Sequence, residues 1–226
     1  RGWGQGCQHS KSMHGILAHI PGIKCYLPVT PHDAYHMTRA SICDDDGLSV
    51  ILEHRWLYDI EGEVELEECH YNFPPKVVRE GKDITVVAVS WMVVEALKAA
   101  EVMSRLHGIE IEVIDMRTTH RLIGVKVMRS VCKTGYCITA DYDWLGGYMT
   151  EVAHQVHGQC WGKLKAPVDR IGFADEHCPT ARHMEDEFYP NAISIIESVE
   201  IMLDLKEKDL SGEEFYSYEN KFKGPF

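Results

Sequence analysis

The sequence has no Cys-x-x-Cys pair among its eight cysteines, no excess of basic charge and no long hydrophobic run. The first absence removes the common zinc-ribbon and dithiol redox motifs. Cysteines scattered at 7, 25, 43, 69, 132, 137, 160 and 178 through apolar segments read as reduced thiols, mostly in the core. Lys and Arg number 23 against 35 Asp and Glu, a net charge of −12. A surface that acidic repels a phosphate backbone and argues against nucleic-acid binding. No apolar stretch reaches the roughly 18–20 residues that cross a bilayer, and the first ten residues have neither the basic start nor the apolar stretch of a secretory signal. The expectation is a soluble, unexported chain with no membrane contact. The glycine patterns of Walker and Rossmann phosphate loops and the Gly-x-Ser-x-Gly elbow are also missing, so nucleotide-kinase and serine-hydrolase readings lose their usual support.

What is present is a core-forming composition, 45% hydrophobic over 226 residues, and an alternation of extended and helical patterns. Such alternation marks an α/β fold with a mostly parallel sheet flanked by crossover helices. Ile23 to Leu27 predicts a strand, Pro31 to Asp44 a helix capped by Thr30, and Leu48 to Glu53 a buried strand. Residues 60–81, rich in Glu and Pro, read as a connection that pairs partly as strand. The alternation then restarts with Ile84–Val89 as strand, Met92–His107 as helix ended by Gly108, and Ile109–Ile114 as strand. Val125–Lys133, Tyr148–His157 and Ala192–Leu205 predict helices, with strands at Tyr136–Ala140 and Val168–Ile171 between them. The last segment, KEKDLSGEEFYSYENKFKGPF, reads as a frayed tail or an arm laid on a neighbour. The chain opens on Arg1 in a glycine-rich polar segment, which reads as a piece of something longer.

Two histidine pairs have helical spacing, His32 with His36 and His154 with His157. Neither has a third ligand in a recognisable zinc pattern, so both read as ordinary surface or interface histidines. The opening is more unusual. Glycines at 2, 4 and 6 permit close backbone approach, and they lead into Gln8, His9 and Ser10, three polar residues before an apolar segment. An imidazole there can take or give a proton near neutral pH.

These residues also carry a resemblance. GCQHS, AHIPGIK at 18–24, PVTPHDA at 28–34, ILEHRWLY at 51–58, REGKDITVVAVS at 79–90 and EVIDMRT at 112–118 are similar, in order and spacing, to the beta subunit of thiamine diphosphate-dependent 2-oxo acid dehydrogenases. SVCKTG at 130–135, GGYMTEV at 146–152, APVDRIGFAD at 166–175 and MEDEFYP at 184–190 continue it. The resemblance implies that residues 1–58 are the latter part of a pyrimidine-binding domain. Residues 59–80 would then be a linker, 81–205 a transketolase C-terminal domain and 206–226 a tail. It further implies that His9 is the catalytic histidine at the active-site entrance, with Gln8 and Ser10 on the rim.

The glutamate that promotes ylide formation in relatives has no counterpart in this sequence. Thiamine diphosphate and its magnesium ion would be held mainly by an alpha chain or by the segment that bears this glutamate, leaving this chain inactive alone. Family position also implies a potassium ion on backbone oxygens of Ser41, Ile42, Asp44 and Asp46, although three consecutive aspartates also suit a helix stop and a solvated turn. Expected partners are the alpha subunit, a second beta chain and a lipoyl-bearing acyltransferase core, in the cytoplasm, or in the mitochondrial matrix of a eukaryote. Pyruvate or a related short 2-oxo acid is the expected substrate. Two departures leave room for a specialised relative: Arg121, Leu122 and Ile123 replace the common Pro-Leu-Asp, and Asp175 to Pro179 replaces Asp-x-Pro-x-Pro. Two alternatives stay open, a two-carbon transferase of the transketolase or deoxyxylulose-phosphate-synthase type, and a non-catalytic module for dimerisation or docking.

Overall fold

The computed structural model describes residues 6–43, 47–66, 72–120 and 123–216. It opens with two short helices, α1 (Gly6–His9) and α2 (His14–Ala18), which the sequence pattern did not show. Both are too short for a period to register. Next come β1 (Ile23–Tyr26), α3 (Pro31–Cys43) and β2 (Leu48–Ile51), with β1 and β2 paired in parallel from Ile23 opposite Leu48 to Tyr26 opposite Ile51. The predicted cap is in place: Asp33 N donates to Thr30 Oγ1 at 3.1 Å, and Pro31 occupies the first turn, where its missing N–H costs nothing. A 3₁₀ turn, Arg55–Leu57, follows β2.

The second sheet has five strands in the order β3 (Lys76–Arg79), β5 (Ile111–Asp115), β4 (Ile84–Ala88), β6 (Cys137–Trp144), β7 (Asp169–Phe173). All neighbours are parallel except β3, which pairs antiparallel with β5 at the edge. The strand content of the connecting segment therefore belongs to this C-terminal sheet. Central β4 is buried at every position, as a strand covered on both faces requires. Its side chains alternate between two cores. Ile84, Val86 and Ala88 face α4 (Trp91–His107) and α8 (Ala192–Met202), while Val87 and Val89 face α5 (Val125–Thr134) and α6 (Tyr148–Gln159).

Helix ends follow local rules. Gly108, at φ 68°, terminates α4, and Asn191 with Ser194 forms a capping box on α8. Glu95, fully buried in α4, is satisfied by Trp91 Nε1 at 2.7 Å and by Ala192 N at 3.0 Å, the first N–H of α8. A seven-residue helix, α7 (Arg182–Phe188), precedes α8 and was not foreseen. Over its described part the C-terminal segment packs on this chain: Phe215 and Tyr216 lie on the α4 core, and Glu213 pairs with Arg105.

The two sheets are tied through the loop after β5. Leu27 N donates to Arg117 O at 2.8 Å and Thr119 N to Cys25 O at 3.1 Å. Arg117 itself sits at φ 64°, a costly conformation for a residue with a Cβ. Its guanidinium forms a two-pronged ion pair with Asp33 of α3 and lies 5.1 Å over the Phe73 ring. Of the seven described cysteines, Cys25, Cys137, Cys160 and Cys178 are buried, whereas Cys7, Cys43 and Cys132 are exposed. No helix among the described residues is long and apolar enough to cross a membrane.

Candidate functional site

A cleft of about 250 Å³ opens where the two sheets meet. Leu27 and Leu52 enter it just past β1 and β2, Ser90 just past β4, and Phe173 ends β7. The cleft therefore lies outside the carboxyl ends of strands from both sheets, the customary ligand position in open α/β folds. One rim is the turn between α1 and α2, residues 9–14. Its floor is aromatic: the His54 ring stacks on Trp91 at 5.6 Å and lies 5.5 Å from Tyr142. His54 also accepts from Trp56 N through Nδ1 at 3.2 Å, which fixes the ring.

His9, the last residue of α1, is exposed on the rim. Ser10 next to it is buried, and its carbonyl accepts from Tyr189 Oη at 3.0 Å, so the backbone under the imidazole is anchored to the segment after α7. Burial pushes the Tyr189 phenol up and keeps it a neutral donor. Gly6 begins α1 at φ 66°, where a Cβ would stand 3.0 Å from Thr180 Oγ1. Gln8 is exposed and does not line the cleft. Structure thus brings His9 and Ser10 together and leaves Gln8 on the outer face.

The candidate potassium residues lie elsewhere. Ser41 and Ile42 occupy the last turn of α3, with Ser41 Oγ donating to Thr38 O at 2.8 Å and Ile42 76% exposed. Asp44 and Asp46 fall outside the described residues, as do Arg121 and Leu122.

Reading the histidines by helical spacing misplaced one and passed over another. His36 is buried, not superficial, and bonds Glu65 O through Nε2 at 2.8 Å. His157 is structural: it bonds Ala153 O at 2.9 Å and accepts from Val168 N at 3.2 Å. The histidine that spacing missed is His14, which lines the cleft and places Nε2 2.9 Å from Asp141 Oδ2. Burial opposes its charge, but the charge and hydrogen bond of Asp141, with Asp143 behind them, outweigh burial and raise its pKa above the ordinary value. Burial, reinforced by Asp141, raises that of Asp143 against the pull of His14. Only the fold unites these residues, so no local pattern could have disclosed them.

A mostly parallel sheet with helices on both faces, preceded by a parallel pair that completes a cleft at the strand ends, defines a transketolase-like architecture. Residues 75–195, over half the chain, match the family described as "Transketolase, C-terminal domain", and the chain belongs to that family. It is 34% identical over 198 residues to the beta subunit of acetoin:2,6-dichlorophenolindophenol oxidoreductase of Cupriavidus necator, covering 86% of this chain and 57% of that protein. With the mitochondrial pyruvate dehydrogenase E1 component subunit beta of Saccharomyces cerevisiae it shares 31% over 209 residues, 90% of this chain and 57% of that one. With the 2-oxoisovalerate dehydrogenase subunit beta of Bacillus subtilis it shares 35% over 189 residues, 81% of this chain and 57% of that one. The chain thus spans little more than half the length of these relatives. A solved structure titled "Split gene transketolase, inactive beta4 tetramer" superposes with a TM-score of 0.67 at 23% identity, over 89% of this chain and 64% of its own, a likeness of fold.

Proposed function

We propose that this chain is part of the beta subunit of a thiamine diphosphate-dependent 2-oxo acid dehydrogenase, acting on pyruvate or a related short 2-oxo acid together with an alpha chain. One observation carries the reading: the histidine of the Gln-His-Ser motif stands on the open rim of a cleft at the strand ends, in a chain similar to such subunits over most of its length. Thiamine diphosphate, when bound, supplies the electron sink that lets carbon dioxide leave a 2-oxo acid.

The residues present fit the substrate side of that chemistry. Lys11 and Arg55 on the cleft offer cations for a carboxylate, and the His54, Trp56 and Tyr142 rings exclude water around an acyl group. No residue of this chain is assigned to the diphosphate or magnesium, which belong to the alpha partner or to a segment outside this sequence. His9 moves a proton to or from the substrate oxygen through its exposed imidazole, and Ser10 keeps it aimed through the Tyr189 bond. Gln8 would orient that imidazole or bind the substrate's polar groups from its exposed position beside it. A potassium ion would use the carbonyls of Ser41 and Ile42, in the last turn of α3, together with those of Asp44 and Asp46. Docking of a second beta chain and of a lipoyl-bearing acyltransferase core completes the assembly.

The test is to co-express the chain, joined to the upstream segment of its gene, with its alpha partner and to assay decarboxylation of pyruvate, 2-oxobutyrate and 2-oxoisovalerate. His9→Ala should lower kcat by about 10²–10⁴ with little change in thermal stability. An unchanged kcat in that variant refutes the role of His9, and no turnover of any 2-oxo acid by the wild-type assembly refutes the proposed reaction.

A further inference from the structure

Behind the rim, at the C-terminal end of β6, three side chains that the proposed reaction does not use come together. His14 begins α2, while Asp141 and Asp143 are two apart on β6 and so share one face of the strand. One ligand atom from each lies within 4.8 Å of the other two. His14 Nε2 is 2.9 Å from Asp141 Oδ2 and 3.8 Å from Asp143 Oδ2. Metal bonds of about 2.0–2.1 Å at the tetrahedral angle hold ligand atoms roughly 3.3 Å apart. The two separations straddle that value, so small side-chain rotations admit a cation.

Two further observations separate this cluster from a plain ion pair. Asp141 Oδ1 is buried and has no hydrogen-bond partner, on a side chain only 3% exposed. A lone pairing with His14 leaves that oxygen to bear its full desolvation cost, whereas a carboxylate bound to a cation can share both oxygens. Glycine also stands on each side of the Asp143 carboxylate. A Cβ at Gly15 would lie 2.3 Å from Asp143 Oδ2, and one at Gly147 2.5 Å from it. These glycines let the carboxylate reach His14, a position that any side chain there would block.

Charge points the same way. A divalent cation held by a neutral imidazole and two carboxylates forms a centre with no net charge, which suits a mostly buried position. Nitrogen with carboxylate oxygen suits zinc and its first-row neighbours, while calcium and magnesium prefer oxygen alone. His14 lines the substrate cleft and Asp143 a second groove between α2 and α6, so water has access to the remaining coordination positions.

We infer that His14, Asp141 and Asp143 form a binding site for a divalent first-row transition-metal cation, with zinc as its probe. The site does not depend on the thiamine chemistry. To test it, the 226-residue chain is stripped with chelator, then titrated with Zn²⁺ by calorimetry and with Co²⁺ by visible absorption. One equivalent should bind at micromolar concentration or tighter, and the cobalt spectrum should show ligand-field bands without thiolate charge transfer. Asp141→Asn should weaken binding at least a hundredfold and Asp143→Asn at least tenfold. His32→Gln and His154→Gln should leave it unchanged. Circular dichroism reports folding; if Asp141→Asn unfolds, the half-buried Asp143→Asn decides alone. Absence of zinc uptake at ~10 μM, or undiminished affinity in Asp143→Asn, overturns the site.

Discussion

Replacing Asp115 with Asn isolates the energetics of a carboxylate placed where the end of one sheet meets the contact with the other. Asp115 closes β5, is 1% exposed, and accepts from Arg117 N through Oδ1 at 2.9 Å. Burial, and after it the nearby charge of Asp33, pushes its pKa up from 3.8 to about 7, with the Arg117 backbone bond and the Arg117 and Lys76 charges opposing. The folded-state value thus lies above the unfolded one. Between about pH 4 and about pH 7 the folded chain keeps a proton that the unfolded chain releases, so stability is fully present below pH 4 and declines as pH rises through about 7. A gap of a little over three pH units at about 1.36 kcal/mol each sets the total at about 4 kcal/mol. Roughly 1 kcal/mol of it falls between pH 6 and pH 8, where the carboxyl passes through its folded-state titration. Urea unfolding of wild type and Asp115→Asn at half-unit steps across that range measures it. His14, also raised, tilts both proteins in the same direction, so the quantity of interest is the difference between the two curves. That difference should fall in the wild type's disfavour by about 1 kcal/mol; parallel curves show that Asp115 is ionised throughout and refute the raised pKa.

Asp33→Asn leaves the Arg117 guanidinium, 11% exposed, without its carboxylate and should destabilise the chain by about 3–5 kcal/mol in the same unfolding assay. Because Arg117 holds a left-handed conformation that the ion pair helps to fix, the loss should extend to amide-exchange protection at Leu27, whose N–H bonds Arg117 O. Gly6→Ala should cost about 1–2 kcal/mol from its positive φ and its 3.0 Å approach to Thr180, and it should lower kcat of the assembled enzyme by displacing His9.

Long elements with strong periods were legible in the sequence. α4 could be read because its apolar face runs for 17 residues and stops at a glycine that adopts φ 68°, and β4 because five consecutive buried residues have no other use in an α/β chain. The boundary errors are local. β6 runs on to Trp144, beyond the expected Ala140, because Phe173 of β7 pairs with Trp144 across an irregularity in the ladder, a contact 29 residues away that no window registers. Strand within residues 60–81 was legible but its bounds were not, because β3 is an edge strand with one exposed and three half-buried residues, and its partner β5 lies more than 30 residues downstream.

For the site, the legible part was the part encoded contiguously. Gln8, His9 and Ser10 are adjacent, so their polar character before an apolar segment stands out, and two of the three line the cleft. What was illegible is built from residues that meet only after the sheet has formed: the His14 to Asp141 contact spans 127 positions. Helical spacing directed attention to His32 with His36 and His154 with His157, pairs in which at least one ring is committed to backbone carbonyls. A ligand set drawn from one helix advertises itself through its period. One drawn from a helix start and two alternate positions of a distant strand has no period, and its trace in the sequence reduces to Asp-Tyr-Asp followed by glycines, where an outward-facing β6 terminus would serve as well with serine or lysine. Asp143 also accepts from Trp144 N, but the two carboxylates meet on the imidazole that the N-terminal turn delivers to them, and the same turn delivers His9 to the rim. Anchoring of Ser10 by Tyr189 therefore positions both imidazoles at once, and loosening it with Tyr189→Phe should disturb zinc affinity and kcat together.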